Sequence, residues 1–194
     1  MSKTVGIYGG TFDPIHLGHL ITAQYVYELR KVDEILFVPC RISPFKIGRK
    51  TASGEDRLNM LKLATSTIPY FKICEYEIHN PDISYTINTL RHLKEKYDEL
   101  ELIIGYDNLL RFDEWKEPEE IVKLAKLIVL GRNTDTTKHE NKFFGFAQFV
   151  KTPRIDISSS EIRRRVKNNL PINFLVPPEV QNYIYEKGLY GKDE

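Results

Sequence analysis

The sequence predicts an α/β fold in which a parallel sheet is covered by helices on both faces. Short β-branched and apolar runs alternate with stretches of helical periodicity, and helix-capping residues stand before several of those stretches. No Gly/Ser-rich linker, internal repeat or low-complexity tract divides the 194 residues, which suits one domain spanning 1–194 and is too short for two comfortable ones.

The first strand is expected over 5–8. A helix over about 18–30 follows, since Ala23, Val26, Tyr27 and Arg30 fall at i, i+3, i+4 and i+7. The second strand takes 35–38. Ser53, Gly54, Glu55 and Asp56 have capping-box character and open a helix with Leu58, Leu61 and Thr65 on one side. A strand over 71–74 precedes a helix that Ser84 can cap, with Ile87, Leu90 and Leu93 turned inward. Strands over 100–104 and 127–130 come next. The polar stretch 133–141 reads as an exposed loop, and the aromatic stretch 143–150 as a further strand of poor period. Ser158 and Glu161 have capping-box spacing before Ile162 and Val166, and Pro177 and Pro178 precede a last helix with Val180, Tyr183 and Ile184.

Composition narrows the function. Lys plus Arg is 28 and Asp plus Glu is 27, a net charge of +1, so the large basic excess of a protein that coats polyanions is absent. A small anion held by a few focused cations stays compatible. Six basic residues between 151 and 169 (Lys151, Arg154, Arg163, Arg164, Arg165, Lys167) face only Asp156 and Glu161, whereas 113–120 carries five acids against Lys116. Cys40 and Cys74 stand far apart without C-x-x-C spacing, which suggests neither a disulfide framework nor a zinc knuckle. No apolar run approaches 18 residues and the N-terminus leads straight into the first strand, so a soluble, cytoplasmic chain with no membrane contact is expected.

The strongest local signal is the exit of the first strand, from Gly9 and Gly10 through Thr11, Phe12, Asp13, Pro14 and Ile15 to His16, Leu17, Gly18 and His19. Paired glycines at a strand's carboxyl end let the backbone turn sharply and approach a ligand, where open α/β sheets bind their ligands. The segment is neither G-x-G-x-x-G nor G-x-x-x-x-G-K-[ST]. His16 and His19 fall where the next helix begins, so imidazole donors and free backbone N–H groups can converge on one anion. The pair supplies only two metal ligands with no third at a recognisable spacing, so no protein metal site is assigned.

This segment resembles the H-x-G-H signature of the nucleotidyltransferase superfamily, and Ile157, Ser158, Ser159, Ser160, Glu161, Ile162 and Arg163 resemble its second signature, about 140 residues later. Within the superfamily the chain is similar to the bacterial nicotinate-nucleotide adenylyltransferases over nearly its whole length. The similarity runs through Ser84, Tyr85 and Thr86, through Ile104, Gly105, Tyr106 and Asp107, through Trp115 and Lys116, and through 174–180. The resemblance implies a Rossmann-like, doubly wound parallel sheet of the nucleotidyltransferase type with a small C-terminal helical segment. It implies ATP and nicotinate mononucleotide as substrates, with Mg²⁺ accompanying ATP and held by phosphates and water. His16, His19, Lys46 and Arg163 are the implied catalytic residues. Gly9, Gly10, Thr11, Phe12, His16, His19, Ser158, Ser159 and Arg163 would bind ATP, and Ser84, Tyr85, Thr86, Asp107 and Trp115 the acceptor.

The residue types suit these roles. Transfer of an adenylyl group needs no protein nucleophile, because the mononucleotide phosphate can attack the α-phosphorus directly; the protein must align two anions and stabilise charge. Arg163 offers a planar fork for phosphate, one turn into a helix capped by Ser158. Trp115, the only tryptophan, can stack on a pyridine ring or simply pack. N–H groups at a helix start near Ser84 suit a carboxylate better than a carboxamide. Three positions depart from the family pattern: Phe45 stands where histidine is usual before Lys46, Tyr106 where a small residue is usual, and Gly131-Arg132-Asn133 where Arg-Pro-Gly is usual.

Alternatives remain at this stage. Phosphopantetheine adenylyltransferases share both signatures, although Ser84–Thr86, Trp115 and the longer C-terminal region argue against them, and nicotinamide mononucleotide is a second acceptor. A non-catalytic nucleotide-binding regulator is opposed by the presence of all four implied catalytic residues. Nucleic-acid binding has only the run from Arg163 to Lys167 in its favour, and no nucleic-acid partner is assigned. The sequence leaves the oligomeric state open, a homo-oligomer included.

Overall fold

The computed structural model describes residues 3–42, 44, 51–131 and 141–191. Strand β1 (Thr4–Gly10) leads into helix α1 (Leu17–Arg30), β2 (Glu34–Pro39) into α2 (Gly54–Thr65), and β3 (Phe71–Ile73) into the short α3 (Tyr76–His79) and then α4 (Thr86–Lys94). Strand β4 (Glu99–Gly105) precedes α5 (Tyr106–Leu110), a 3-10 turn (Phe112–Glu114) and α6 (Pro118–Leu124). Strand β5 (Lys126–Leu130), a second 3-10 turn (Lys142–Phe146) and β6 (Ala147–Val150) are followed by α7 (Ser159–Lys167) and α8 (Pro178–Glu186).

The six strands form one sheet in the order β3-β2-β1-β4-β5-β6, and every pairing is parallel. This is the doubly wound order, in which successive crossovers run outward in opposite directions from β1, leaving a crevice beyond the carboxyl ends of β1 and β4. Alternation along the strands feeds two cores. Ile35, Phe37, Ile103 and Ile128 face α1, α2 and α8 through Ala23, Val26, Met60, Leu61, Val180 and Ile184. Val5, Ile7, Leu36, Val38, Leu102, Ile104, Leu127 and Val129 face α4 and α6 through Ile87, Leu90, Leu93 and Ile121. Both faces of the central strands are therefore buried, which is why their sequences read as largely apolar runs, with Glu101 on β4 a charged exception.

Arg30, the one charged residue of the predicted α1 stripe, is partly buried and reaches a buried carboxylate. Its Nε and Nη2 each donate at 2.8 Å to the carboxylate of Glu101, which is 2% exposed on β4. Capping follows the sequence at two helices: Ser53 Oγ accepts from Asp56 N at 3.0 Å, and Ser158 Oγ from Glu161 N at 3.2 Å. Pro177 is the N-cap of α8 and Pro178 its first residue.

Two expectations are corrected. Ser84 is not the cap of α4; extended Tyr85 holds that position without a side-chain cap, and the Ser84 hydroxyl instead accepts from Arg41 N at 3.0 Å, tying this segment to the end of β2. Of the stretch 143–150 only Ala147–Val150 is strand. Asn141 caps the first half as a 3-10 turn by accepting from Phe143 N, and Phe143 enters the core. Most of the predicted loop 133–141 lies outside the described residues. Among the described residues no helix is long and apolar enough to cross a membrane.

Candidate active site

The site forms where β1 ends and α1 begins, in the crevice beside β4. Gly9 is exposed, and a side chain there would meet nothing within 4 Å, so the backbone at this point is open to a ligand. Gly10 is different: a Cβ would lie 2.9 Å from the Phe12 ring. Phe12 takes a left-handed φ of 48° and turns its side chain into the core, 2% exposed, against the rings of Tyr8, Phe37 and His19. Its ring is thus a packing group, and what Phe12 can offer a nucleotide is backbone.

His16 is the N-cap of α1, and its imidazole folds back over Gly18, where a Cβ would come within 3.0 Å of Nδ1 and 3.1 Å of Cε1. The glycine of the H-x-G-H pattern thereby makes room for the first histidine. The two imidazoles stack with centroids 3.6 Å apart at 24°. His19 Nδ1 accepts from His16 N at 3.3 Å, which places the proton of a neutral His19 on Nε2 and fixes that ring's orientation. His16 is 6% exposed, and its buried Nδ1 makes no hydrogen bond, so Nε2 is the ring nitrogen left for a ligand. Burial holds the His16 imidazole down at about 4, and so it is neutral near pH 7 in the free protein. A bound phosphate acts in the opposite direction.

The expectation of several free N–H groups at the α1 start narrows on inspection of the bonds. Leu17 N donates to Leu175 O at 3.0 Å and His19 N to His16 O at 3.0 Å. The imidazoles, more than the helix terminus, are the donors of this element.

The second signature is bound to the first by three interactions. Arg163 Nη1 donates to Asp13 O at 2.6 Å and stands 3.6 Å from Asp13 Oδ2. Ser159 Oγ donates to Pro14 O at 2.9 Å. Segments 150 residues apart in sequence thus share one loop. Arg164 and Arg165 turn away: Arg164 pairs with Glu161 at 2.7 Å, and Arg165 donates to Pro171 O at 2.8 Å. Of these three arginines, Arg163 alone enters the site. Ser158 is the cap of α7, and Ser159, first in the helix, spends its hydroxyl on the loop, which leaves the N–H groups of Ser159 and Ser160 as that helix's unsatisfied donors.

The acceptor residues gather on the β2 and β4 sides. Ser84 N donates to Ile42 O and Tyr85 N to Ile83 O, so the donors left at the α4 start are the N–H groups of Thr86 and Ile87. Lys116 Nζ lies 4.5 Å from the centroid of the Tyr85 ring, which brings the Trp115 segment against this turn. Trp115 is half-buried, tilted at 34° on Phe112 with centroids 5.0 Å apart. Asp107 is exposed in the first turn of α5, directly after β4. The Tyr106 ring is directed toward Phe144 and Phe149, with centroids 6.0 Å and 6.5 Å away, so the departure at this position is absorbed on the β6 side. Lys46, Phe45 and Arg132 lie outside the described residues.

Sequence reasoning missed Asp13, Tyr190 and Arg57. Asp13 is 3% exposed, and its Oδ1 accepts from Ala52 N at 3.1 Å and from the Tyr190 hydroxyl at 2.7 Å. Burial beside the Asp13 carboxylate holds the Tyr190 phenol well above its ordinary value, so it stays a donor. For Arg57 a signal existed: it falls at i with Met60, Leu61 and Ala64 at i+3, i+4 and i+7, a cation on the buried face of α2. Among the described residues no group of three His, Cys, Asp or Glu side chains could hold a metal ion.

A family profile described as cytidylyltransferase-like matches residues 7–165. A protein of Caldicellulosiruptor saccharolyticus named "Probable nicotinate-nucleotide adenylyltransferase" is 42% identical over 193 residues, covering 96% of this chain and 98% of that one. One of the same name from Staphylococcus epidermidis is 39% identical, covering 98% and 99%. The chain belongs to the nicotinate-nucleotide adenylyltransferase family. Among solved structures, Plasmodium falciparum nicotinic acid mononucleotide adenylyltransferase complexed with NaAD superposes with a TM-score of 0.80 at 24% identity over 97% of each chain, a likeness of fold.

Proposed function

We propose that this chain, as one domain over 1–194, transfers the adenylyl group of ATP to nicotinate mononucleotide, forming nicotinate adenine dinucleotide and pyrophosphate for NAD biosynthesis. Family membership supports the reaction, and the union of the two signatures at Asp13 and Pro14 is the observation that carries the site. A phosphate oxygen of the mononucleotide bonds to the α-phosphorus of ATP while the bond from that phosphorus to the bridging oxygen breaks, and the electron pair leaves with pyrophosphate. His16 and His19 donate to phosphate oxygens as charge builds on them, Arg163 and the α7 N–H groups hold the triphosphate, and Lys46, outside the described residues, is assigned to neutralise phosphate. The exposed backbone at Gly9 and the turn through Gly10, Thr11 and Phe12 give the nucleotide its close approach.

Acceptor selection rests on chemistry at the α4 start. The Thr86 and Ile87 N–H groups suit the nicotinate carboxylate, Trp115 supplies a ring for stacking, and Asp107 can accept from ribose hydroxyls. Mg²⁺ is assigned to the ATP substrate, held by phosphates and water. Two cysteines without C-x-x-C spacing suit a chain of the reducing cytoplasm, which we propose as its compartment.

The reading predicts pyrophosphate release from ATP with nicotinate mononucleotide, and a kcat/KM at least about tenfold lower with nicotinamide mononucleotide, since one charged hydrogen bond is worth roughly 1.5–3 kcal/mol. Phosphopantetheine is expected to give no turnover. Turnover with phosphopantetheine or the amide alone would overturn the assignment.

A further inference from the structure

Arg57 is the largest fully buried side chain among the described residues, 2% exposed. Its guanidinium donates to four backbone carbonyls: Cys40 at 2.7 Å, Thr11 at 2.8 Å, Ala52 at 3.3 Å and Arg41 at 3.4 Å. Among the described residues none of these hydrogen-bond partners is a carboxylate. A buried cation costs several kcal/mol when it is not compensated, and a lone arginine on an otherwise apolar helix face is therefore an expensive choice for packing alone.

What the four carbonyls share is their place. Thr11 belongs to the loop after β1 that carries the glycine turn, Cys40 and Arg41 follow β2, and Ala52 precedes α2. A planar fork with five fixed donors can join three chain segments in one geometry, which an ammonium on a flexible stem cannot. The tie is continuous with the rest of the site: Ala52 N donates to Asp13 Oδ1, and Asp13 in turn receives Arg163 and Tyr190. The charge also matters. Carbonyl dipoles solvate it, and Arg57 and Arg163 together outweigh the one buried carboxylate of Asp13 in this network, so beneath the β1 loop a net positive potential remains in a region shielded from water.

Resting on the function proposed above, we infer that Arg57 is a positioning residue for adenylyl transfer: it sets the loop from Gly10 to Asp13 in the posture that receives the ATP phosphates and biases that loop toward anions. Arg57 does not reach the substrate. It acts through the Thr11 carbonyl and through Ala52 and Asp13.

The test is kinetic and spectroscopic. Arg57→Lys keeps the charge and loses the fork, and it is expected to lower kcat/KM for ATP by about 10- to 100-fold while the KM for nicotinate mononucleotide moves less than about threefold. A variant with wild-type kinetics and only a lowered Tm would overturn the proposal by making Arg57 a plain structural tie. Because the substitution can prevent folding, the unmodified protein supplies a second readout: the ¹⁵Nε–H resonance of Arg57 is expected to shift on saturation with α,β-methylene-ATP and to stay in place with nicotinate mononucleotide alone. An unmoved resonance under bound analogue would overturn it equally. Wild-type turnover measured alongside separates this failure from a failure of the assigned reaction, since the analogue titration needs no acceptor.

Discussion

His19→Ala is expected to lower kcat by about 100- to 1,000-fold while changing the KM for nicotinate mononucleotide by less than about threefold. Removing one oriented donor to charge that develops in the transition state costs roughly 2.7–4 kcal/mol, which is this range. The structure explains why the loss should fall on kcat. His19 is held by the bond from His16 N to its Nδ1 and by stacking at 3.6 Å on His16, so its Nε2–H is oriented before any substrate arrives. His16→Ala should behave alike, and the double variant should lose less than the product of the single losses, because two residues with stacked rings and joined by a hydrogen bond act as a unit. Steady-state pyrophosphate release checks this. Unchanged turnover in both single variants would reduce the histidines to packing.

Arg163→Ala carries the second large effect, an expected fall of about 100- to 1,000-fold in kcat/KM for ATP. Two losses combine there. The fork proposed to meet phosphate disappears, and the Asp13 backbone carbonyl loses its 2.6 Å donor, loosening the loop proposed to receive the nucleotide. The Asp13 carboxylate keeps Ala52 N and Tyr190 but loses the cation 3.6 Å away. Arg163 is about one-third exposed, so the cost in stability should stay near 1 kcal/mol, well below that of breaking a fully buried pair. Arg163→Lys should recover only part of the activity, since one ammonium cannot serve the loop carbonyl and a phosphate together. A loss in Tm with kcat/KM for ATP intact would make Arg163 a tether only.

Much of this arrangement is legible before folding, and the boundary of legibility has a physical cause. The strands declare themselves because burial on both faces demands continuous apolar residues, and the helices because Ser53, Ser158 and Pro178 mark their starts. The histidines and Arg163 stand out because their spacing has a chemical use. Long-range polar partners have no such local mark. Nothing around Asp13 announces that Tyr190, 177 residues later, donates to it, and nothing in Ser84 announces that its hydroxyl serves Arg41 instead of its own helix. The start of α1 misleads for the same reason, since the partner of Leu17 N is Leu175 O across the molecule. Arg57 lay between these cases: a charge in an apolar stripe is visible in the sequence, but the carbonyls it serves are joined only by the fold.

The central claim is that the two signatures hold two anions in line and that the protein contributes no covalent nucleophile. The stereochemical course at the transferred phosphorus tests this most directly, using adenosine 5′-O-(1-thiotriphosphate) of one configuration with nicotinate mononucleotide. A single in-line displacement inverts the α-phosphorus, and inversion is the predicted result; retention would require a second displacement through a protein-bound adenylate, with His16 or His19 as nucleophile, and would contradict the account.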